Sequence, residues 1–407
     1  MTEQINTPEL RFPEFKREWK EYQFQTHLSK IETGTNKLGS EDFAGLPLLK
    51  MGNIQRGNFS FNKLEKLKKD EVVNNEHLIQ NKDFLFNTRN TMELVGKSAT
   101  WRGESNRFAF NSNIARLTLE NMDTVFFNYL YNTPKLIHKV KSLAVGTTSV
   151  AAIYPRDLKK LKYFIPIFDE QLKIGEFFSK LDRQIELEEQ KLAKLEEQKK
   201  GYMQQIFSQK LRFKDENGSD YPNWEEVQLK DILIRKDHKQ VPEINAPLMS
   251  FTSTGGIEPK GDRYNREFLV KNKNKKYKRT EFNDLIYSSN NLDVGAIGLN
   301  RYGTSVISDV YEIFKIEEQV SPYFIEMSIL QPEFMYKILR YRQGALYGQY
   351  RIHANDFLKI NIELPCSEEQ YKIGDFVNKL DNIIDIINNK IELLKQRKRG
   401  FLQKMFI

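Results

Sequence analysis

Residues 166–207 and 365–406 are one stretch of sequence written twice, and any fold for this chain must place both copies. They align without a gap at an offset of 199 residues. Pro166 matches Pro365, Glu170 matches Glu369, and Gln171 matches Gln370. Gly175 pairs with Gly374, Leu181-Asp182 with Leu380-Asp381, Gly201 with Gly400, and Phe207 with Phe406. A shorter echo opens each half: Leu10-Arg11-Phe12 leading to Trp19, and Leu211-Arg212-Phe213 leading to Trp224. Between the echoes the halves diverge. Both keep a strand-like run (Asp83 to Thr88, Asp284 to Ser289) and a glycine turn (Arg56-Gly57, Gly255-Gly256). The organisation is variable domain, long helix, variable domain, long helix, which makes the chain a duplicated half-protein.

The repeated segments carry a helical seam. Ile174, Phe178, Leu181, Ile185, Glu188, Leu192 and Leu195 step by four and three, as do Ile373, Val377, Leu380, Ile384, Ile387, Ile391 and Leu394. Such steps give an apolar repeat of about 3.5 residues, the seam of a coiled coil. About 39 residues at a rise of about 1.5 Å give a rod of roughly 58 Å. A rod of that length must bury its stripe, and its own duplicate is the expected partner, antiparallel about Glu188 and Ile387. That register sets Gly175 beside Gly400 and Gly201 beside Gly374, so close backbone approach of the helices is expected there. The expected class is mixed α/β: two globular domains separated by two long antiparallel coiled-coil helices, with internal pseudo-two-fold duplication.

At 407 residues, with 39% hydrophobic side chains, the chain can fill two ordinary cores. Its start lacks the apolar core of a signal peptide, and no stretch is long and apolar enough to span a membrane. The single Cys366 excludes an intramolecular disulfide and reads as a buried small hydrophobe at a strand end. A cytoplasmic protein is expected. Basic side chains outnumber acidic ones, 63 to 55, for a net charge of +8, which favours an anionic partner such as nucleic acid.

Catalytic motifs are poor. Gly96-Lys97-Ser98 resembles the end of a phosphate-binding loop, but Thr91 stands where its first glycine is required. His27, His77, His138, His238 and His353 are scattered without metal-ligand spacing, and each reads as a surface or loop residue. Glu189-Gln190-Lys191 and Glu197-Gln198-Lys199 spell a nuclease-like E-x-K but lie on the long helix, where they belong to its solvated edge. No glycine-rich strand-to-helix turn offers a seat for a nucleotide or methyl donor. The chain is expected to bind and not to catalyse, with neither metal nor cofactor of its own.

Candidate DNA contacts come from both variable domains. In the first, Arg56, Asn58, Arg89, Lys97, Arg102 and Ser149 offer side chains that address base edges and phosphates. In the second, the run Lys271-Asn272-Lys273-Asn274-Lys275-Lys276-Tyr277-Lys278-Arg279 suits phosphate neutralisation, with Lys271, Lys273, Lys275, Lys276 and Arg279 as its contacts. Arg301, Arg342, Tyr347, Gln349 and Arg351 complete the set. The last four flank two glycines just before the second long helix, where Gly146 to Ser149 occupies the matching place in the first half.

The duplicated P-x-x-x-E-Q-x-x-I-G-x-F-x-x-x-L-D helix, opened by Leu10-Arg11-Phe12 and Trp19, resembles the specificity subunit of type I restriction-modification systems. The resemblance covers essentially the whole chain, its specific part being Pro166 to Asp182 and Pro365 to Asp381. It implies an N-terminal arm (1–20), a first target recognition domain (21–155), a central conserved region with a spacer helix (156–210), a second target recognition domain (211–355) and a C-terminal conserved region (356–407). It implies that each domain reads half of a split, asymmetric site on double-stranded DNA while the helices set the spacer. It also implies two adenine methyltransferase subunits carrying S-adenosylmethionine, and motor-nuclease restriction subunits using ATP and Mg. Two other readings keep part of the pattern: a coiled-coil scaffold that assembles other subunits without reading DNA, and a self-contained methyltransferase or nuclease with unrecognised motifs.

Overall fold

The computed structural model describes residues 6–252, 256–259, 274–289, 296–341, 343–346 and 349–407. The chain divides into two compact units. Unit 1 is Met1–Lys191 with Ile387–Ile407, and unit 2 is Leu192–Ile386. The helices are α1 (Thr124–Tyr131), α2 (Pro134–Ser142), α3 (Pro155–Leu158), α4 (Phe168–Phe207), α5 (Pro322–Ile329), α6 (Pro332–Leu339), α7 (Ala354–Phe357) and α8 (Ser367–Lys404). The division falls inside α4 and α8, so each unit holds half of each long helix.

Both units are built on the same frame. In unit 1 an antiparallel sheet runs in the order Leu28–Thr33, Ile114–Leu119, Phe84–Asn87, Ser98–Thr100. Unit 2 repeats it as Leu233–Lys236, Tyr311–Ile316, Leu285–Ser288, Ile297–Leu299. The strand-like runs seen in the sequence are thus central strands, and Phe84–Asn87 and Leu285–Ser288 are buried throughout. Their apolar character on both faces follows: one face packs on the two short helices α1 and α2, or α5 and α6, and the other on a second, smaller sheet. A separate two-stranded ribbon ties the arm to the segment before each long helix, Lys20–Gln23 with Lys162–Ile165 and Glu225–Gln228 with Asn361–Leu364.

The repeated Glu-Gln pair explains the shared helix start. Glu170 is fully buried and accepts from Arg11 Nε and Nη2 at 2.7 and 2.6 Å and from Trp19 Nε1 at 3.4 Å. Glu369 does the same with Arg212 (3.1 and 2.6 Å) and Trp224 (3.2 Å). The neighbouring glutamine accepts from the backbone of the residue that caps the first short helix. Asp123 N–H donates to Gln171 at 3.1 Å, and Ser321 N–H donates to Gln370 at 2.9 Å. Arm, long helix and domain therefore meet at one polar joint in each unit.

Within each unit the two long helices run antiparallel. In unit 1 Asp182 binds Lys398 at 2.5 Å, Glu188 binds Lys390 at 2.5 Å, and Phe177 meets Phe401 edge-on at 5.1 Å. In unit 2 the duplicates of the first and third recur, as the pair Lys199–Asp381 and the rings Tyr202 and Phe376 at 5.2 Å. Ile174, Phe178, Ile185, Ile373, Val377, Ile387, Ile391 and Leu394 are buried, while Leu181, Leu192, Leu195, Leu380 and Ile384 are half-buried. Glu188 occupies a seam position yet stays compatible with it, because its carboxylate reaches Lys390 at the edge.

Four expectations need correction. The glycines do not mark close approach of the helices: a Cβ on Gly175 would meet Asp123 and the Phe126 backbone, one on Gly374 would meet Ser321 and Tyr323, and Gly201 and Gly400 face open space. Gly175 and Gly374 instead let the N-termini of α1 and α5 sit against the long helices. His27 is buried, its Nδ1 2.9 Å from the Tyr163 hydroxyl and its ring edge-on to Tyr22. Cys366 is half-buried in the turn before α8 rather than enclosed in a core. From Tyr277 the basic run is a strand and not a loop, with Lys278 buried against Glu312.

Glu170→Ala is expected to cost about 3–5 kcal/mol, because it strands a mostly buried Arg11 without its counter-charge. Asp381→Asn, which breaks a part-exposed pair with Lys199, should cost about 1 kcal/mol or less, and urea unfolding measures both. Burial pushes the His27 pKa below its ordinary 6.5, so the folded state favours the neutral ring. That contribution is intact above pH 6.5 and is lost as pH falls through the lowered folded value. The melting temperature of wild type should therefore drop more between pH 7 and pH 5 than that of His27→Gln.

Candidate nucleic-acid interface

In unit 1 the segment between Arg89–Asn90 and Ser98–Thr100 folds into a turn, closed by bonds from Leu94 and Val95 N–H to Thr91 O. Two other segments touch it. Arg56 Nη2 donates to Glu93 O at 3.3 Å and Lys97 Nζ to Gln55 Oε1 at 2.7 Å, so the turn Gln55–Asn58 packs on one side. On the other, Met92 N–H donates to Thr148 O in the hairpin formed by Val145–Gly146 and Ala151–Ala152, whose second strand pairs with Arg89–Asn90. Arg56, Asn58, Arg89, Lys97 and Ser149, spread over nearly a hundred positions of sequence, are thereby gathered around one turn.

The cations of unit 1 fall into two kinds. Arg102 donates to Tyr129 Oη at 2.7 Å, lies over its ring at 5.2 Å and reaches Asp182 at 3.8 Å, so it fastens α1 to α4. Arg107 is paired with Glu104, and Arg116 with both Glu32 and Asp83. Arg56, Arg89 and Lys97 have no carboxylate within ion-pair distance among the described residues. Burial lowers the pKa of Arg56, and burial together with the adjacent Arg56 lowers that of Lys97. Glu93 offsets part of that effect on Lys97, so the turn carries two neighbouring positive charges with one carboxylate acting at a distance.

Unit 2 repeats the hairpin as Gln343–Leu346 and Gln349–Arg351, and Arg351 is exposed there. Lys275 and Lys276 are exposed, the first over the Tyr277 ring at 5.3 Å. Two candidates are already engaged. Arg279 donates to Gln240 and Glu281, and Arg301 is held by Asn283 (2.8 Å), Glu326 (2.5 Å) and the face of Tyr323 (3.9 Å). Arg301 and Arg102 stand at matching places and each holds the first short helix of its unit, but only Arg102 also reaches a long helix. Lys271, Lys273, Arg342 and Tyr347 lie outside the described residues, and of Gln349 only the backbone is described. Among the described residues no group of three His, Cys, Asp or Glu side chains is placed to hold a metal ion, and no helix is long and apolar enough to cross a membrane.

Sequence reasoning missed the bed beneath Arg56. Asn87 Oδ1, Ser98 Oγ, Tyr131 Oη and Asn132 Oδ1 are buried without a protein hydrogen-bond partner. Asn87 and Tyr131 were hidden by the apolar runs around them, and only the presence of polar atoms inside those runs could have signalled the bed.

Such a molecule, with one α/β frame used twice, differently decorated turns and paired long helices, is a duplicated two-unit α/β protein. The family described as the type I restriction modification DNA specificity domain matches residues 26–197 and again 221–396. The MjaX specificity subunit, assigned to a type I restriction enzyme of Methanocaldococcus jannaschii, is 24% identical over 98% of this chain and 95% of its own length. The MjaVIII type I specificity subunit of the same organism is 26% identical over 49% of this chain and 46% of its own. The crystal structure of a type I system S subunit from M. genitalium shares the fold with a TM-score of 0.61 at 15% identity, covering 98% of this chain and 99% of that one. The chain belongs to the type I restriction modification DNA specificity family and is a specificity subunit.

Arg102→Ala should lower the melting temperature yet leave affinity for duplex DNA within about twofold. Lys275→Ala with Lys276→Ala should do the reverse, weakening binding at unchanged stability and reducing the salt slope by about two. Titration of a labelled duplex at several salt concentrations, beside thermal melting, separates the two.

Proposed function

We propose that each unit reads one half of a bipartite, asymmetric site on double-stranded DNA, and that the lengths of α4 and α8 set the spacer between the halves. The observation that carries this is the pairing of one frame with two chemistries. The sheet order and the polar joint are repeated, whereas the residue before the strand at the turn is Lys97 in unit 1 and Ala296 in unit 2. Identical frames with unlike contact residues call for unlike half-sites. The contacts proposed are Arg56, Asn58, Arg89, Lys97 and Ser149 in unit 1, and Lys271, Lys273, Lys275, Lys276, Arg342, Tyr347, Gln349 and Arg351 in unit 2.

The chemistry is assigned to partners. Two adenine methyltransferase subunits carrying S-adenosylmethionine dock on the helices, and restriction subunits using ATP and Mg cleave unmodified DNA. Family membership supports this division of labour, with the chain itself non-catalytic and working in the cytoplasm. Extruding a target adenine from the stack falls to the methyltransferase, so this subunit need only hold the duplex in register.

In cells carrying the methyltransferase subunit, a split adenine-methylation motif should arise only when this chain is also expressed. Sequencing of modified bases across the genome checks it, and methylation that ignores the chain would sink the proposal.

A further inference from the structure

The duplication supplies an internal control for the bed under Arg56. Thr100 N–H donates to Asn128 Oδ1 at 3.1 Å in unit 1, and Leu299 N–H donates to Glu326 Oε1 at 3.2 Å in unit 2. Each bond joins the last residue of the edge strand to the same turn of the first short helix, so the two units correspond residue by residue here. Where unit 1 has Ser98, Tyr131 and Asn132, unit 2 has Ile297, Ile329 and Leu330. Unit 2 buries hydrocarbon at the first two of these places, while Leu330 is exposed. Unit 1 nevertheless buries polar oxygens there without protein partners, at a cost in stability, although Asn132 Nδ2 donates to Asn128 O at 2.8 Å and to Ser98 O at 3.4 Å.

The turn that carries Arg56 sits beside Ser98 and Asn132, and the guanidinium is an electrostatic neighbour of Tyr131. The turn is pinned by Gln55 N–H to Asn58 O and Gly57 N–H to Ser98 O, both 2.9 Å, with Gly57 at φ +85°. Asn128 Nδ2 holds Gly57 O at 3.0 Å. Gly96, at φ +75°, packs against the enclosed Tyr131 hydroxyl: a Cβ there would stand 3.5 Å from that oxygen and only 2.9 Å from Val140. Arg56 spends one amino group on Glu93 O, and the rest of its planar fork has no carboxylate to hold. A half-buried guanidinium on a rigid mount suits bidentate base recognition, whereas the flexible ammonium of Lys97 suits a phosphate.

We propose that Arg56 reads a guanine through its O6 and N7 in the half-site of unit 1, with Tyr131 and Asn132 as positioning residues and Lys97 on an adjacent phosphate. This rests on the reading of the chain as a DNA-specificity subunit. Unit 2, with Ala296 and a hydrocarbon floor, reads its half-site by other means.

The test is the methylation motif imposed by the full chain with its methyltransferase partner, together with duplex titrations of the same complex. Arg56→Ala and Arg56→Lys should each lose about ten- to a hundredfold discrimination at one G·C pair of one half-site. The other half-site should be unchanged. Lys97→Ala should weaken binding equally across sequences and reduce the salt slope by about one. Tyr131→Phe should keep or raise the melting temperature while relaxing the same G·C position, which a merely structural hydroxyl would not do. The proposal is overturned if Arg56→Ala keeps every base preference, or if it weakens all sequences alike. A wild-type chain that imposes no motif overturns the DNA reading beneath it, and the two failures are told apart by that control.

Discussion

Glu170 and Glu369 are carboxylates withdrawn entirely from water, and each is tolerated because an arginine fork and an indole N–H meet it. Breaking either joint releases three things at once: the arm, the start of a long helix and the cap of the first short helix. The arm brings Trp19 or Trp224 into a ring cluster with Phe126 and Phe406, or with Phe324 and Phe207. Charge satisfaction and hydrophobic packing are thus interlocked at the same point. A buried ion pair is poor evidence for stability in general, but it is good at specifying one arrangement over near alternatives.

That specification frees the rest of each unit to vary. The frame is held by the sheet order, the joint and the helix seam, and the turn near Arg56 is fastened onto it through Ser98 and Asn128. Cations that serve the frame, such as Arg102, Arg116 and Arg301, are consumed by internal partners. At the turn, Arg56, Arg89 and Lys97 have no carboxylate within ion-pair distance among the described residues.

Much of this was legible in the sequence, because a gapless repeat and a seam of fours and threes have few physical interpretations. Glu170 and Gln171 could be seen to recur, but their partners could not, since Arg11 and Asp123 lie at separations no local rule spans. The glycines misled for a related reason: helical periodicity tells which face a residue occupies, not which of two neighbours, helix or domain, comes against it. Arg102 and Arg301 were indistinguishable from Arg56 as letters. Only the placement of Tyr129, Asp182, Asn283 and Glu326 around them shows that they hold internal partners. His27 belongs to the same class, because its burial depends on Tyr163 across the unit.

The make-up of the two units has a consequence for how the molecule comes into being. Unit 2 is one continuous length of chain, Leu192–Ile386. Unit 1 is not: its core needs Phe401, Met405 and Phe406, and Leu10 N–H is bound by Lys404 O at 2.9 Å. Those residues leave the ribosome after all of unit 2 has been made. Emerging domains ordinarily mature in order from the N-terminus. Unit 1 therefore cannot complete its core until Met405 and Phe406 have been made, after the whole of unit 2.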